Sequence, residues 1–333
     1  MTRYDKILGG LLGGAIGDAM GAATETRTTA QIIERFGGLV KDFIAPPDDV
    51  FAHGWPKGSV TDDFSLAYCT AEAIIRSGGV ITDETAKDAL ISWGKTPYFV
   101  MAGPTTVACV DRLLGKPPVP NKYDFLSVDN SKGSNGSAMK IGPVGLVSGG
   151  DVDKAIADTI TICKPTHFNS TALSGGCATS AAVAKALDPN ANVFDLVQAG
   201  LYGAKVGEQH GAKLANPSVY KRINLAVEIA LKADGDMEKC MCELTDIIGS
   251  GLSCAEAVPC AFGLLVAAKG DPMEAIYGGV NIGSDTDTVA TIVGSIAGTL
   301  KGAAAFDPAH MKLINEVNNY DLEMIARELD RLS

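Results

Sequence analysis

Apolar residues in this chain recur three and four positions apart almost from end to end, and that spacing restricts it to helices packed on helices. The pattern predicts helix over 4–22, 62–77, 83–93, 105–115, 152–163, 171–187, 193–206, 221–233, 237–248, 254–269, 272–277, 287–303 and 309–330. Gly, Pro or Asn-rich breaks separate these segments, and Asp83-Glu84 and Asp307-Pro308 are helix-start signals. The best strand candidate, 38–45, is short. No regular alternation of strand and helix is present, which disfavours a doubly wound sheet. Glycine is abundant at 38 residues while aromatics make up only 6%, and small side chains let helix backbones approach closely. Loops are expected at 46–60, 115–124, 129–150 and 278–286, none of them a long flexible linker, and there is no solenoid-like repeat. The expectation is an all-α fold, one compact multi-helix domain over 1–333, with its chemistry carried on loops.

Hydrophobic residues at 46% and charged residues at 20% make the chain globular rather than disordered. A net charge of −11 argues against nucleic acid and anionic membranes as partners, since both need basic patches. An anionic small ligand stays open, because metal ions and backbone amides can neutralise phosphate. The eight cysteines lie mostly in apolar stretches without a CxxC pair, which reads as buried reduced thiols in a cytoplasmic protein. Four histidines, none at ligand spacing to a cysteine pair, argue against structural zinc. Arg3 and Lys6 before the apolar run Ile7–Ile16 superficially resemble a signal peptide. Four glycines in that run and Asp18 just beyond it favour an amphipathic first helix instead. The stretch Val289–Leu300 is too short to span a bilayer. Oligomeric state stays open.

Two segments share one design. Thr61-Asp62-Asp63 runs into an apolar helix at Phe64, and Asp285-Thr286-Asp287-Thr288 runs into another at Val289. Either alone is compatible with ordinary N-capping, where Thr and Asp are favoured and the helix dipole welcomes anions. One cap needs one acidic side chain, however, and here four aspartates stand at two helix mouths far apart in sequence. If the fold joins the mouths, the carboxylates cannot all stay ionised without cations. Hard oxygen ligands suit Mg²⁺, Mn²⁺ or Ca²⁺ rather than zinc.

The stretch Gly9–Gly21, Thr61–Asp63, Asn135-Gly136-Ser137-Ala138-Met139, Thr166-His167 and Gly283–Thr288 together resemble the ADP-ribosylglycohydrolase family. The motifs follow the family's order from residue 7 to 300, and the paired Asp motifs are the specific part. The resemblance implies a compact helical domain with a central binuclear metal site holding two Mg²⁺, or Mn²⁺. Thr61, Asp62, Asp63, Asp285, Asp287 and Thr288 would be its ligands. Glu25 matches the place of a catalytic glutamate, against the alternative of a solvated loop carboxylate; Asp63 and Asp285 would share the catalytic role. Ser134-Asn135-Gly136-Ser137 is either a plain turn or, through positive φ at Asn and Gly, a cradle of N–H groups for a diphosphate. The resemblance assigns it to ligand binding. It also suggests that His167, otherwise a structural hydrogen-bonder, contacts phosphate or ribose. Gly103, leading into the helix at 105, is a further candidate for amide donors. Three positions depart from the family pattern: Phe64 for Thr, Ser284 for Gly and Lys140 for Arg. They leave every liganding Asp in place and direct attention to pocket shape and phosphate handling.

The expected activity is metal-dependent hydrolysis of the glycosidic bond at the anomeric carbon of a ribose, releasing ADP-ribose from a modified protein side chain or small molecule. The alternatives are a ribosyl N-glycosidase for free modified nucleosides, a metal-dependent phosphatase, and a non-catalytic role like that of the related lens crystallins.

Overall fold

The centre of the molecule is the pairing of its first helix with a late one. The computed structural model describes residues 1–117 and 127–333; residues 118–124 of the expected loop at 115–124 lie outside the described residues. Helix α1 (Arg3–Gly21) runs antiparallel against a helix from Thr286 to Lys301. Small residues four apart make that contact possible. A Cβ at Gly9 would collide with backbone at Gly298, at Gly13 with Gly294, at Gly17 with Ala290, and at Gly21 with Asp287. The two backbones therefore touch along their length, and the start of the late helix is locked against the end of α1.

The remaining helices build outward in chain order: α2 (Thr29–Phe36), α3 (Asp62–Arg76), α4 (Asp83–Trp93), α5 (Pro104–Leu113), the short α6 (Gly142–Leu146), α7 (Val152–Cys163), α8 (Ser170–Ala186) and α9 (Val193–Gly207). Then come α10 (Val219–Ala233), α11 (Met237–Ile247), α12 (Cys254–Ala267), α13 (Pro272–Asn281), α14 (Thr286–Lys301), α15 (Pro308–Asn318) and α16 (Leu322–Leu332). No strand occurs among the described residues, only three isolated bridges: Thr28 with Gly283, Ser134 with Ser253 and Asn169 with Ala212. One apolar cluster runs continuously from Ile7 to Leu329. Helix α14 is buried from Thr286 to Leu300, as expected of a helix that is apolar all round and enclosed by protein. None of the described helices is long and apolar enough to cross a membrane.

The helical periodicity is matched by helices at each segment it marked, with local corrections. The segment 38–45 is not a strand. It is irregular, and Asn281 takes the place of a pairing partner, its Oδ1 accepting from Val40 N and its Nδ2 donating to Val40 O, both at 2.8 Å. The run 309–330 is broken in two by Asn319 in the left-handed region (φ 54°), after which Asp321 caps α16. The expected loop 129–150 contains two turns of 3₁₀-helix, Asn130–Lys132 and Asn135–Ser137, and α6. Helix α13 continues four residues past 277 into the expected loop 278–286. Helix α2 lay unmarked by the periodicity; Thr28 and Gln31 close a capping box at its start. All eight cysteines are free, and seven are buried.

Candidate active site

Two helix mouths meet at the end of α1. Asp18, on the last turn but one of α1, is fully buried and accepts the backbone N–H of Thr61 at 2.9 Å and of Phe64 at 2.8 Å. That carboxylate pins the first turn of α3 to α1. Thr61 is the N-cap of α3, its hydroxyl accepting from Asp63 N at 3.3 Å. At the other mouth, Thr286 Oγ1 donates to Gly21 O at 2.9 Å. Asp285 holds the N-cap position of α14, yet its side chain makes no capping bond. It accepts instead from Asn135 Nδ2 at 2.5 Å. Capping therefore accounts for Thr61, and Asp287 Oδ1 accepts the first-turn N–H of Thr288 at 3.0 Å; Asp62, Asp63 and Asp285 are left without that explanation.

Glu25 reaches the same place by a backbone stitch. Thr26 and Ser284 both sit in the left-handed region, at φ 68° and 61°; Thr26 N donates to Ser284 O and Ser284 N to Arg27 O, each at 2.8 Å. The segment carrying Glu25 is thereby sewn to the segment carrying Asp285. Oxygen atoms of Glu25, Asp285 and Asp287 lie within 4.8 Å of one another. Arg27, itself buried, donates to the carbonyl of Glu25 at 3.1 Å and pairs with the exposed Asp49. A surface cavity of about 460 Å³ lined by Thr26, Arg27, Gln31, Glu34, Arg35 and Asp49 lies beside this segment and includes none of the clustered carboxylates.

The result is six acidic side chains in one place: Asp18, Glu25, Asp62, Asp63, Asp285 and Asp287. All but the half-buried Asp62 are at least nine-tenths hidden from solvent. Burial, the largest cause, pushes every one of them up. Asp18 reaches about 7, Glu25 about 8 and Asp62 about 8, with neighbouring carboxylates adding to burial for Glu25 and Asp62. Asp63 and Asp287 are raised well above the usual range, again by burial and then by the other acids. For Asp18, Asp62, Asp63 and Asp285 hydrogen bonds pull the other way, and for Glu25 and Asp287 nothing does; no Lys or Arg contributes to any of the six. The N-termini of α3 and α14 supply partial positive charge, too little for so many anions. Asp63 Oδ2 is buried without a hydrogen-bond partner. An acceptor-only oxygen in that state costs about 1–3 kcal/mol unless something cationic meets it. The donor set, carboxylates with the hydroxyls of Thr61 and Thr288, is all hard oxygen and fits Mg²⁺, Mn²⁺ or Ca²⁺.

The other expected residues divide. Asn135 joins the cluster through Asp285. Its turn is a 3₁₀-helix without positive φ, so the proposed cradle of N–H groups is not the geometry adopted, and Asn135 N is spent on Leu252 O at 2.8 Å. Gly136 is required for a different reason: a Cβ there would lie 2.9 Å from the His167 ring. The Ser137 hydroxyl is fully buried and donates to Ala172 O at 2.7 Å, leaving it no free role toward a ligand. His167 Nε2 meets Ser134 Oγ at 3.0 Å. Gly103 is exposed at the N-terminus of α5, and among the described residues no hydrogen bond ties it to the cluster. Asp18 and Arg27 carry positions the sequence reading left without a role.

The family description ADP-ribosylglycohydrolase matches residues 1–333. The chain belongs to the ADP-ribosylglycohydrolase family. It is 30% identical over 329 residues to the uncharacterized protein YegU of Escherichia coli (strain K12), covering 98% of this chain and 96% of that one. An uncharacterized protein of Archaeoglobus fulgidus is 27% identical over 304 residues, 90% and 88% of the two chains. The fold is that of a solved ADP-ribosylglycohydrolase-related protein complex, with a TM-score of 0.69 over 99% of both chains at 21% identity. Membership supports a glycohydrolase-type enzyme.

Within the family pattern, the three departures have separate consequences. Phe64 is a core residue, its ring against Gly14 and 6.3 Å from that of Tyr320, so it fills space behind α3 and does not face the acids through its side chain. Ser284 occupies a backbone conformation that glycine adopts at less cost, by about 1 kcal/mol. Lys140 is 1% exposed and hydrogen-bonds Thr166.

Proposed function

We propose that this ADP-ribosylglycohydrolase family member is a divalent-metal-dependent hydrolase that cleaves the glycosidic bond at the anomeric carbon of a ribose, releasing ADP-ribose from a modified side chain or small molecule. The observation that carries the reading is the cluster of six carboxylates, all but Asp62 buried, with no cationic side chain among them and one oxygen, Asp63 Oδ2, without a partner. Thr61, Asp62, Asp63, Asp285, Asp287 and Thr288 would hold two Mg²⁺, or Mn²⁺, with Glu25 close beside Asp285 and Asp287. Bound cations would neutralise these acids and polarise the substrate's oxygens or a water.

The chain's own groups supply the rest. In the metal-free site burial, and then Asp285 and Asp62, push Glu25 up to about 8; with metal bound, its carboxyl would stand beside the ligands to assist proton transfer at the anomeric bond. The Arg27 bond to its carbonyl and the Thr26–Ser284 stitch keep that carboxyl in register with Asp285. Asn135 fixes the rotamer of Asp285, and Asp18 fixes the first turn of α3.

The test is release of ADP-ribose from ADP-ribosylated arginine and serine peptides, run beside a panel of modified nucleosides. Turnover is expected with Mg²⁺ or Mn²⁺, with loss of at least about a thousandfold in Asp63→Ala and Asp285→Ala, a size in keeping with removal of a preorganised electrostatic group. Full activity in EDTA would sink the account. Cleavage of the nucleosides alone would move the reading to a ribosyl N-glycosidase.

A further inference from the structure

Behind the Asn135 turn runs a line of hydrogen bonds that the carboxylates do not use. Lys140 is almost wholly buried, and no carboxylate pairs with it among the described residues. Its Nζ lies 3.1 Å from Thr166 Oγ1, Thr166 Oγ1 lies 2.8 Å from His167 Nδ1, and His167 Nε2 lies 3.0 Å from Ser134 Oγ. Gly136 leaves the space for the imidazole, and the adjoining Asn135 donates to Asp285. The line therefore starts at a lysine in the interior and ends beside the acidic cluster.

Its direction follows from the donor inventory. An ammonium group can only donate. If Lys140 donates to Thr166, the single hydroxyl hydrogen of Thr166 goes on to His167 Nδ1. Burial, and then the charge of Lys140, push His167 down to about 3, so the ring is neutral and has one hydrogen to place. With Nδ1 accepting, that hydrogen sits on Nε2 and is donated to Ser134 Oγ. The hydroxyl hydrogen of Ser134 is then unspent: its side chain is half-buried and, among the described residues, bonds only His167. A neutral lysine amine would allow the reverse order, with hydrogen on Nδ1 and the Ser134 hydroxyl consumed by Nε2.

We propose that Lys140 is a positioning residue which, through Thr166 and His167, reserves the Ser134 hydroxyl hydrogen for an acceptor-only group of the substrate, a phosphate oxygen. The inference rests on the reading of the site as one for ADP-ribosylated substrates. It assigns the buried lysine a task that does not require contact with the ligand.

The experiment uses the full chain with ¹⁵N-labelled histidine in saturating Mg²⁺, read by two-bond ¹H–¹⁵N correlation, with His167→Gln identifying the signal. The wild type is expected to show the Nε2–H tautomer. Lys140→Met and Thr166→Val, which break the line at different points, are expected to show a mixture or Nδ1–H. Lys140→Arg, still a pure donor, is expected to restore Nε2–H. By calorimetry, Lys140→Met and Thr166→Val should bind ADP-ribose about tenfold more weakly, the equivalent of one charge-assisted bond, and adenosine unchanged. An Nδ1–H tautomer in the wild type overturns the proposal, as does retention of both tautomer and ADP-ribose affinity in the two variants. Absence of ADP-ribose binding by the wild type overturns the ligand assignment. Failure of the hydrolase reading looks different: ADP-ribose binds, the tautomers behave as stated, and no ribosylated substrate is turned over.

Discussion

At the scale of single residues, the site depends on what each carboxylate is not doing. Asp285 stands at a helix N-cap and does not cap; Asp63 keeps one oxygen buried and unpartnered. Asp18 is the opposite case, an acid whose oxygens are consumed by the backbone of another helix. Removing it leaves the N–H groups of Thr61 and Phe64 buried and unpaired, at about 1–3 kcal/mol each. Asp18→Ala should therefore lower the melting temperature and weaken Mg²⁺ binding although it deletes none of the six expected ligands. Thermal denaturation beside metal titration measures both, and wild-type metal affinity in a destabilised Asp18→Ala would show that α3 needs no anchor. The clustered aspartates were legible because a doubled motif at two helix mouths exceeds what capping requires. Asp18 was not, because the donors it satisfies lie 43 and 46 positions away. Arg27 was missed for a similar reason: its main job is to hold a carbonyl, and any arginine in a polar loop looks the same. Gly103 stands exposed at the start of α5, and a Gly-Pro helix start is common and carries no information about where the helix points.

At the scale of elements, the antiparallel contact of α1 and α14 sets the register of the site. Gly9, Gly13, Gly17 and Gly21 of α1 each meet backbone of α14, so the helices cannot slide without driving Cβ atoms into main chain. Alanine is favoured over glycine in a helix interior by about 0.5–1 kcal/mol, so an ordinary Gly→Ala change on a helix stabilises. At Gly13 the sign should reverse. A Cβ there strikes the backbone of Gly294, and overpacking of this kind costs about 1–3 kcal/mol. Chemical denaturation of Gly13→Ala reads the sign directly; a gain in stability would mean that the two helices can separate at little cost. Helix positions were legible from periodicity because most of these helices bury one face or all of themselves. What periodicity could not supply was the pairing of the helices, since glycine leaves no apolar stripe to follow. Short elements escaped it too: α6 spans five residues, and the apolar segment 38–45 reads as a strand although Asn281, far along the chain, takes up the backbone of Val40 in place of a partner strand.

At the scale of the whole molecule, a chain of net charge −11 gathers six acids in one place, five of them buried. Their folded-state pKa values lie above the unfolded ones, with Asp18 at about 7 and Glu25 and Asp62 at about 8. Between about pH 4 and pH 8 the metal-free folded state thus holds more protons than the unfolded chain. The contribution of these acids to stability is complete below the unfolded values and is lost as pH rises through 7 to 8. The metal-stripped protein should melt at a lower temperature at pH 9 than at pH 6, and added Mg²⁺ should raise the melting temperature more at pH 9 than at pH 6. A pH-independent response to Mg²⁺ would mean that the ion binds elsewhere. Ligation must displace the protons these acids carry, so metal uptake and proton release are one event. The decisive measurement is therefore calorimetric titration of Mg²⁺ and Mn²⁺ into the metal-stripped chain near pH 7, repeated in buffers of different ionisation enthalpy. The account predicts saturable binding of two ions with release of protons to the buffer, abolished or reduced to one ion in Asp63→Ala and Asp285→Ala. Heats no larger than dilution, or identical binding in those two variants, would contradict it.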